Sequence, residues 1–334
     1  MLFRSSLKRL PVVCPAAEEL ITRSGYCKAG AELDVPADVD LAKASLDVVV
    51  VPSLAADMAD TLEYLVEYPH GCVEQTMSRF LPAIKVAQIL NRYRIEHPGL
   101  KAKLPGCVDA GIKRLLQLQQ QDGGWGWQGS GQTHEMMTPY ALYGLLEARA
   151  AGYGVDEKAI QRGLNRLKAF IAAMGQPQAA DRIYCMYVWS FHADLEKAWW
   201  DFIEAEVDRG KLSDYALALS LEVAARKGRG ELAARLATAL RKRVREDSNG
   251  LHWATAGFSR WGDDPFEITA AVLKAFAVHD GGEKLIPGIL DYFARTKRGN
   301  RWNSTKDTAM VLFAMCEYLF RQDGSGQVDR KVRM

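Results

Sequence analysis

The sequence predicts an all-α fold, about six helical hairpins closed into a ring as an α/α toroid, on three observations. First, apolar residues recur at helical spacing from Leu54 onward: Leu54, Met58, Leu62 and Leu65, then Met77, Leu81, Ile84, Ala87 and Leu90, then Val108, Ile112, Leu115 and Leu116. Second, stop signals cut this pattern into about twelve segments of ordinary helix length. They are Gly106, Asp122-Gly123-Gly124, Ala151-Gly152, Gly175-Gln176-Pro177, Asp208-Arg209-Gly210, Gly228, Gly250, Gly281-Gly282 and Gly299. Third, Thr138, Ser213, Thr269 and Thr308 each stand four positions before a leucine, at Leu142, Leu217, Leu273 and Leu312. Each reads as an N-cap or first-turn hydroxyl leading a helix that is apolar on most sides.

Taken in order, residues 1–52 differ from the rest of the chain. AELDVP and SLDVVVVP carry β-branched runs bounded by prolines, which read as one or two extended strands. Two strands alone are marginal, so this N-terminal segment reads as the remnant of an adjacent β-domain. Residues 53–322 form the helical body. Within it, three of the four hydroxyl-bearing starts come after a polar loop with tryptophan: DGGWGWQGSGQ, NGLHWATAGFSRWGDDP and GNRWNS. Buried helices alternating with amphipathic ones at a unit of about 40–50 residues imply stacked hairpins. Residues 323–334 are a polar tail.

Composition narrows the function classes. With 334 residues, 48% hydrophobic and 25% charged, the chain buries a large core and is not a disordered or fibrous sequence. Its 43 basic and 41 acidic residues leave a formal charge of +2, too little to attract a nucleic-acid backbone. The longest apolar run, Leu46 to Leu54, is broken by Pro52, so no transmembrane helix is expected. The basic start is followed by an apolar run, Leu10 to Val13, too short for a secretory signal. The six cysteines, Cys14, Cys27, Cys72, Cys107, Cys185 and Cys316, lie singly, without zinc or dithiol spacing. Most read as small buried apolar residues, and no metal or cofactor is expected.

Cys72 stands apart because of its neighbours, Tyr68-Pro69-His70-Gly71-Cys72-Val73-Glu74-Gln75. Pro69 and Gly71 make a turn that puts Cys72 at a helix start, where unpaired N–H groups and the dipole favour the nucleophilic thiolate. Gln75, three residues on, shares that face, so sulfur and carboxamide can meet. Attack of the thiolate on the Gln75 carbonyl with loss of ammonia gives an internal thioester, a stored acyl donor. By spacing alone, a structural cysteine remains the commoner reading.

The sequence GCVEQ resembles the thioester motif of the alpha-2-macroglobulin and complement family, written GCGEQ in most animal members and with a larger third residue in bacterial ones. The flank LEYLVEYPHGCVEQTMSRFLP is similar to the bacterial macroglobulins in particular. DGGWGW followed by MMTPYALYGL, and the C-terminal WNSTKDTAMVLFAM, extend the resemblance over roughly residues 38–322. It implies an α/α toroid thioester domain in which Cys72 supplies the sulfur and Gln75 the acyl group. Gly71, Val73, Glu74, Tyr68 and Pro69 would support the motif. It further implies a single-turnover trap and not an enzyme. After cleavage of a bait region in a larger chain, the thioester would covalently capture attacking proteases outside the cytoplasm. Family members that prefer hydroxyl targets use a loop histidine, yet Gly175 to Cys185 holds none. Lysine amines are therefore the implied targets, with His70 and His134 as possible neighbours of the site.

Two other readings share the architecture. QLQQQDGGWGW resembles the Gln…Gly-x-Trp repeat of triterpene cyclases, where it braces helices, and it can do so here. A cyclase acid needs D-x-D-D, but Trp261 stands where the first Asp of Asp263-Asp264 would require one. The prenyltransferase zinc site needs Asp-x-Cys, which is absent from the sequence. The remaining reading is a protein-binding module in which the thioester never forms and the loop aromatics anchor a partner.

Overall fold

The computed structural model describes residues 39, 42, 44–45, 54–66, 71–94, 96–175, 178–254, 264–280 and 283–322. The strands expected within residues 1–52, the polar tail, and Tyr68, Pro69 and His70 lie outside them. Among the described residues there are twelve helices. They are α1 (Leu54–Val66), α2 (Val73–Arg92), α3 (Pro98–Leu118), α4 (Met137–Ala150), α5 (Glu157–Ala173), α6 (Ala179–Trp189), α7 (Lys197–Arg209), α8 (Asp214–Arg226), α9 (Gly230–Arg241), α10 (Pro265–His279), α11 (Ile286–Thr296) and α12 (Thr305–Arg321).

The even-numbered helices form an inner ring. α2 packs on α4, α4 on α6, α6 on α8, α8 on α10, α10 on α12, and α12 closes onto α2. Each odd-numbered helix from α3 to α11 lies against the inner helix before it, and α1 packs on both α2 and α12. Burial follows this division. Inner α4 is buried at every position from Met137 to Ala148. Outer α5 buries only the stripe Ala159, Ile160, Gly163, Leu164, Leu167 and Ile171, the i, i+3, i+4 pattern of a one-faced helix. An α/α toroid is thus the observed architecture, as the periodicity predicts.

The tryptophan loops explain why the hairpins stack. Trp125, Trp253 and Trp302 are fully buried. Their indole N–H groups donate to the carbonyls of Leu115 (2.7 Å), Leu240 (2.9 Å) and Phe293 (3.1 Å), each in the last turn of an outer helix. Their backbone N–H groups donate to the hydroxyls of Thr138 (2.9 Å), Thr269 (3.1 Å) and Thr308 (3.0 Å) on the following inner helices. One residue type thus satisfies an orphan carbonyl at a helix end and ties it to the next helix start. The repeated hydroxyls therefore divide into two roles. Of the four, only Ser213 is an N-cap, accepting from the Ala216 N–H at 3.2 Å. The threonines clamp tryptophan loops, while Asp264 and Ser304 cap α10 and α12.

Gly106 does not stop a helix: α3 runs through Pro105 and Gly106 to Leu118. Pro105 retains a helical φ, and its ring falls on the solvent side of a segment whose Leu104, Cys107 and Val108 are buried. A two-stranded hairpin, β1 (Arg245–Asp247) with β2 (Gly250–His252), stands where the sequence suggests only a loop. At three residues each, these strands are too short to show alternation.

Buried charge fastens the ring where it closes. Lys85 on α2 pairs with Glu147 on α4 (2.7 Å) and Glu317 on α12 (2.6 Å), so one ammonium joins three adjacent inner helices. Burial acts to lower the Lys85 pKa, but the two carboxylates outweigh it and hold the ammonium charged. No described helix is long and apolar enough to cross a membrane.

Candidate functional site

The start of α2 gathers the motif. Cys72 is the N-cap residue, in extended backbone conformation (φ −73°, ψ 179°), and Val73 is the first helical residue. The helix turns Gln75 back over that start in a capping-box arrangement, with the Cys72 side chain in the capping position. The Cys72 N–H donates to Gln75 Oε1 at 3.3 Å. Gly71 makes this approach possible. A Cβ there would lie 1.7 Å from Gln75 Oε1 and 2.9 Å from Gln75 Cδ, so the carboxamide occupies space that any other residue would fill.

Neighbouring elements fix the helix start. The Val73 N–H donates to the Trp127 carbonyl at 3.1 Å, tying the first turn to the loop between α3 and α4. Arg114 on α3 donates to the Gly71 carbonyl at 3.1 Å. The Val73 side chain is fully buried in the core, so the β-branched residue in place of glycine serves packing in a helical conformation. Thr76 donates to the Cys72 carbonyl at 2.9 Å, and Ser78 donates to Glu74 Oε1 at 2.7 Å. Across from Ser78, the Tyr140 phenol on α4 has its pKa pushed up by burial first and by the Glu74 charge next.

Cys72 is a half-buried free thiol, whereas Cys107, Cys185 and Cys316 are free and buried. Burial raises the thiol pKa of all three, although Arg79 opposes it at Cys107. Cys72 is thus the one partly exposed cysteine among the described residues. His134 comes to the same rim: its ring lies edge-on to Trp127 with centroids 6.0 Å apart, and its Nδ1 accepts the Met136 N–H at 3.1 Å. Among the described residues Trp127 is the large apolar side chain left exposed, at 46%. Gln119, in the QLQQQDGGWGW segment, donates to the carbonyls of Gly123 and Ala159, both at 2.9 Å, which is the bracing role.

The structure therefore brings Gly71, Cys72, Val73, Glu74 and Gln75 together, with His134 beside them through Trp127. Sequence reasoning does not single out Arg114, Ser78 or Trp127 as parts of this site. Only Ser78, at i+4 from Glu74, leaves a signal in spacing. Among the described residues no group of His, Cys, Asp and Glu is arranged to hold a metal.

Comparison with known proteins agrees with this fold. Residues 44–184 match the family model described as the A-macroglobulin TED domain. The chain is 28% identical over 270 residues to an alpha-2-macroglobulin of Thermotoga maritima, covering 79% of this chain and 15% of that protein. It is 34% identical over 124 residues to the alpha-2-macroglobulin of Escherichia coli, covering 36% of this chain and 7% of that one. Among solved structures, native E. coli alpha-2-macroglobulin from domain MG7 to the C-terminus superposes with a TM-score of 0.61 at 24% identity, covering 78% of this chain and 42% of that one. Salmonella alpha-2-macroglobulin reacted with methylamine gives 0.60 at 24%, with 78% and 17% covered. These two likenesses establish the fold, and this chain corresponds to a small part of each curated relative.

Proposed function

This chain carries the thioester domain of the alpha-2-macroglobulin family, and from that premise we propose that Cys72 and Gln75 form an internal thioester that acylates an amine once. The observation that carries the reading is the Gln75 carboxamide folded onto the Cys72 backbone in space that only Gly71 leaves open. Formation begins with attack of the Cys72 sulfur on Gln75 Cδ. The S–C bond forms, the C–N bond breaks, and the amide nitrogen leaves as ammonia with the thiol proton. During the attack negative charge develops on Gln75 Oε1, and the Cys72 N–H at the helix start is the donor already aimed at that oxygen. A primary amine then attacks the same carbon, forming an amide at residue 75 and releasing Cys72 as a thiol.

Family membership supports the wider role. In an assembled macroglobulin the nucleophile is a lysine amine of a protease that has cleaved a bait region, and capture is covalent and single-turnover. The protease partners, the remaining domains of a larger chain, and a periplasmic or extracellular setting belong to this proposal, as do the boundaries 1–52, 53–322 and 323–334. Proton transfer from the incoming amine is the role proposed for His134, at the rim beside Trp127, and for His70 from its position in the motif.

Intact mass with and without methylamine tests the bond. The thioester form weighs about 17 Da less than the sequence requires and gains about 31 Da with methylamine, and both changes vanish in Cys72→Ala. A chain at its full sequence mass that takes up no methylamine overturns the proposal and leaves the binding-module reading.

A further inference from the structure

We propose that the N-terminal half of the ring axis is a binding pocket for a small alkylammonium ion, with the Glu267 carboxylate as its counter-charge. A cavity on the axis is lined by Tyr140 from α4, Tyr184 from α6, Tyr215 from α8, Glu267 and Ala271 from α10 and Met310 from α12, with Lys274 deeper in. These residues lie in the first two to three turns of their helices, so the inner helices run parallel and the cavity occupies the half of the ring that also holds Cys72.

The lining selects the ligand. Glu267 is 1% exposed, and its Oε1 has no hydrogen-bond partner among the described residues. Lys306 meets the other oxygen, at 2.5 Å. A buried carboxylate oxygen without a donor is costly, and an anion or an apolar guest would leave it so. Burial raises the Glu267 pKa, Lys306 opposes this, and Asp307 and Asp264 raise it further. Three tyrosines around the carboxylate add ring faces and phenol oxygens, the surroundings that suit an organic cation. Calcium and magnesium ions need six or more oxygen ligands, which one carboxylate and these phenols do not supply. Lys274 does not oppose the guest with a bare charge. It pairs with Glu222 (3.5 Å) and donates to the hydroxyls of Tyr187 (2.6 Å) and Tyr143 (3.3 Å). Ala271 leaves the space that the guest fills.

The test uses the full chain with Cys72→Ala, so that amine binding is read apart from any acyl transfer, and with methionines labelled with carbon-13 at the methyl group. Met310 is the reporter. Methylammonium chloride should shift its methyl resonance saturably, with a Kd in roughly the millimolar range set by the ceiling on binding energy per heavy atom. Sodium chloride at equal ionic strength should leave it in place. Glu267→Gln should weaken binding by at least about tenfold, and Ala271→Leu, which fills the cavity without touching the ion pair, should abolish it. A Met310 resonance that does not saturate with methylammonium, or that moves equally with sodium, overturns the proposal. Should Glu267→Gln unfold, Ala271→Leu decides: binding that survives a filled cavity also overturns it.

Discussion

Replacing Gly71 with alanine should stop thioester formation without unfolding the ring. The added methyl would sit 1.7 Å from Gln75 Oε1, where contacts under 3.0 Å are essentially never seen, so the oxygen must retreat by at least about 1.3 Å. That retreat stretches the 3.3 Å hydrogen bond from the Cys72 N–H and carries the electrophilic carbon away from the sulfur. A displacement near 1 Å at a reacting centre costs on the order of 10²-fold in rate, or about 2.7 kcal/mol of barrier. The cost to folding is smaller, because the change removes one capping interaction of about 1 kcal/mol at the start of a helix whose core face is intact. The assay is intact mass of Gly71→Ala after timed exposure to methylamine, alongside a thermal melt. A variant that melts close to wild type and takes up no methylamine supports the reasoning. One that is labelled as fully and as fast as wild type refutes it, because the carboxamide would not need the space beside Gly71.

Other perturbations probe the frame. Thr138→Val should cost about 1–3 kcal/mol, read as a lower denaturant midpoint, because it strips the acceptor from the buried Trp125 N–H while keeping the shape. Lys85→Met should destabilise by about 3–5 kcal/mol, since it leaves the buried carboxylates of Glu147 and Glu317 without their shared cation. Glu317 sets a pH dependence. Burial raises its pKa, but Lys85, Lys274 and Arg321 together outweigh that and hold the carboxyl below its ordinary 4.5. A depressed carboxyl stabilises the fold above the unfolded pKa, and the contribution is lost as pH falls through the folded value. Melts taken below about pH 4.5 should therefore show wild type losing stability more steeply than Glu317→Gln; parallel slopes would contradict the assignment.

Much of this arrangement is legible in the residues, and the parts that are not have physical causes. The ring follows from periodicity: the stripe Ala159, Ile160, Leu164, Leu167 marks an outer helix, and the near-continuous apolar face of Ile268 to Ala277 marks an inner one. The repeated hydroxyl before leucine is visible too, but its partner is not. Thr269 meets Trp253, sixteen residues earlier, through a loop whose course no spacing rule gives. Gly106 misleads because local propensity is a weak prior, and the buried Leu104, Cys107 and Val108 outweigh it. At the site, Cys72 and Gln75 can be paired from i, i+3 spacing, and the need for Gly71 follows once the carboxamide is seen beside it. Arg114 and Trp127 arrive from α3 and the loop after it, as tertiary contacts to the helix start.

Peptide mapping across residues 72–75 tests the central claim most directly, with the thiol alkylated before or after methylamine treatment. In the native chain Cys72 should resist alkylation. After methylamine it should be alkylated, and residue 75 should appear as N-methylglutamine, about 14 Da heavier than glutamine. An unmodified Gln75 beside a Cys72 that is alkylated from the outset would contradict the account.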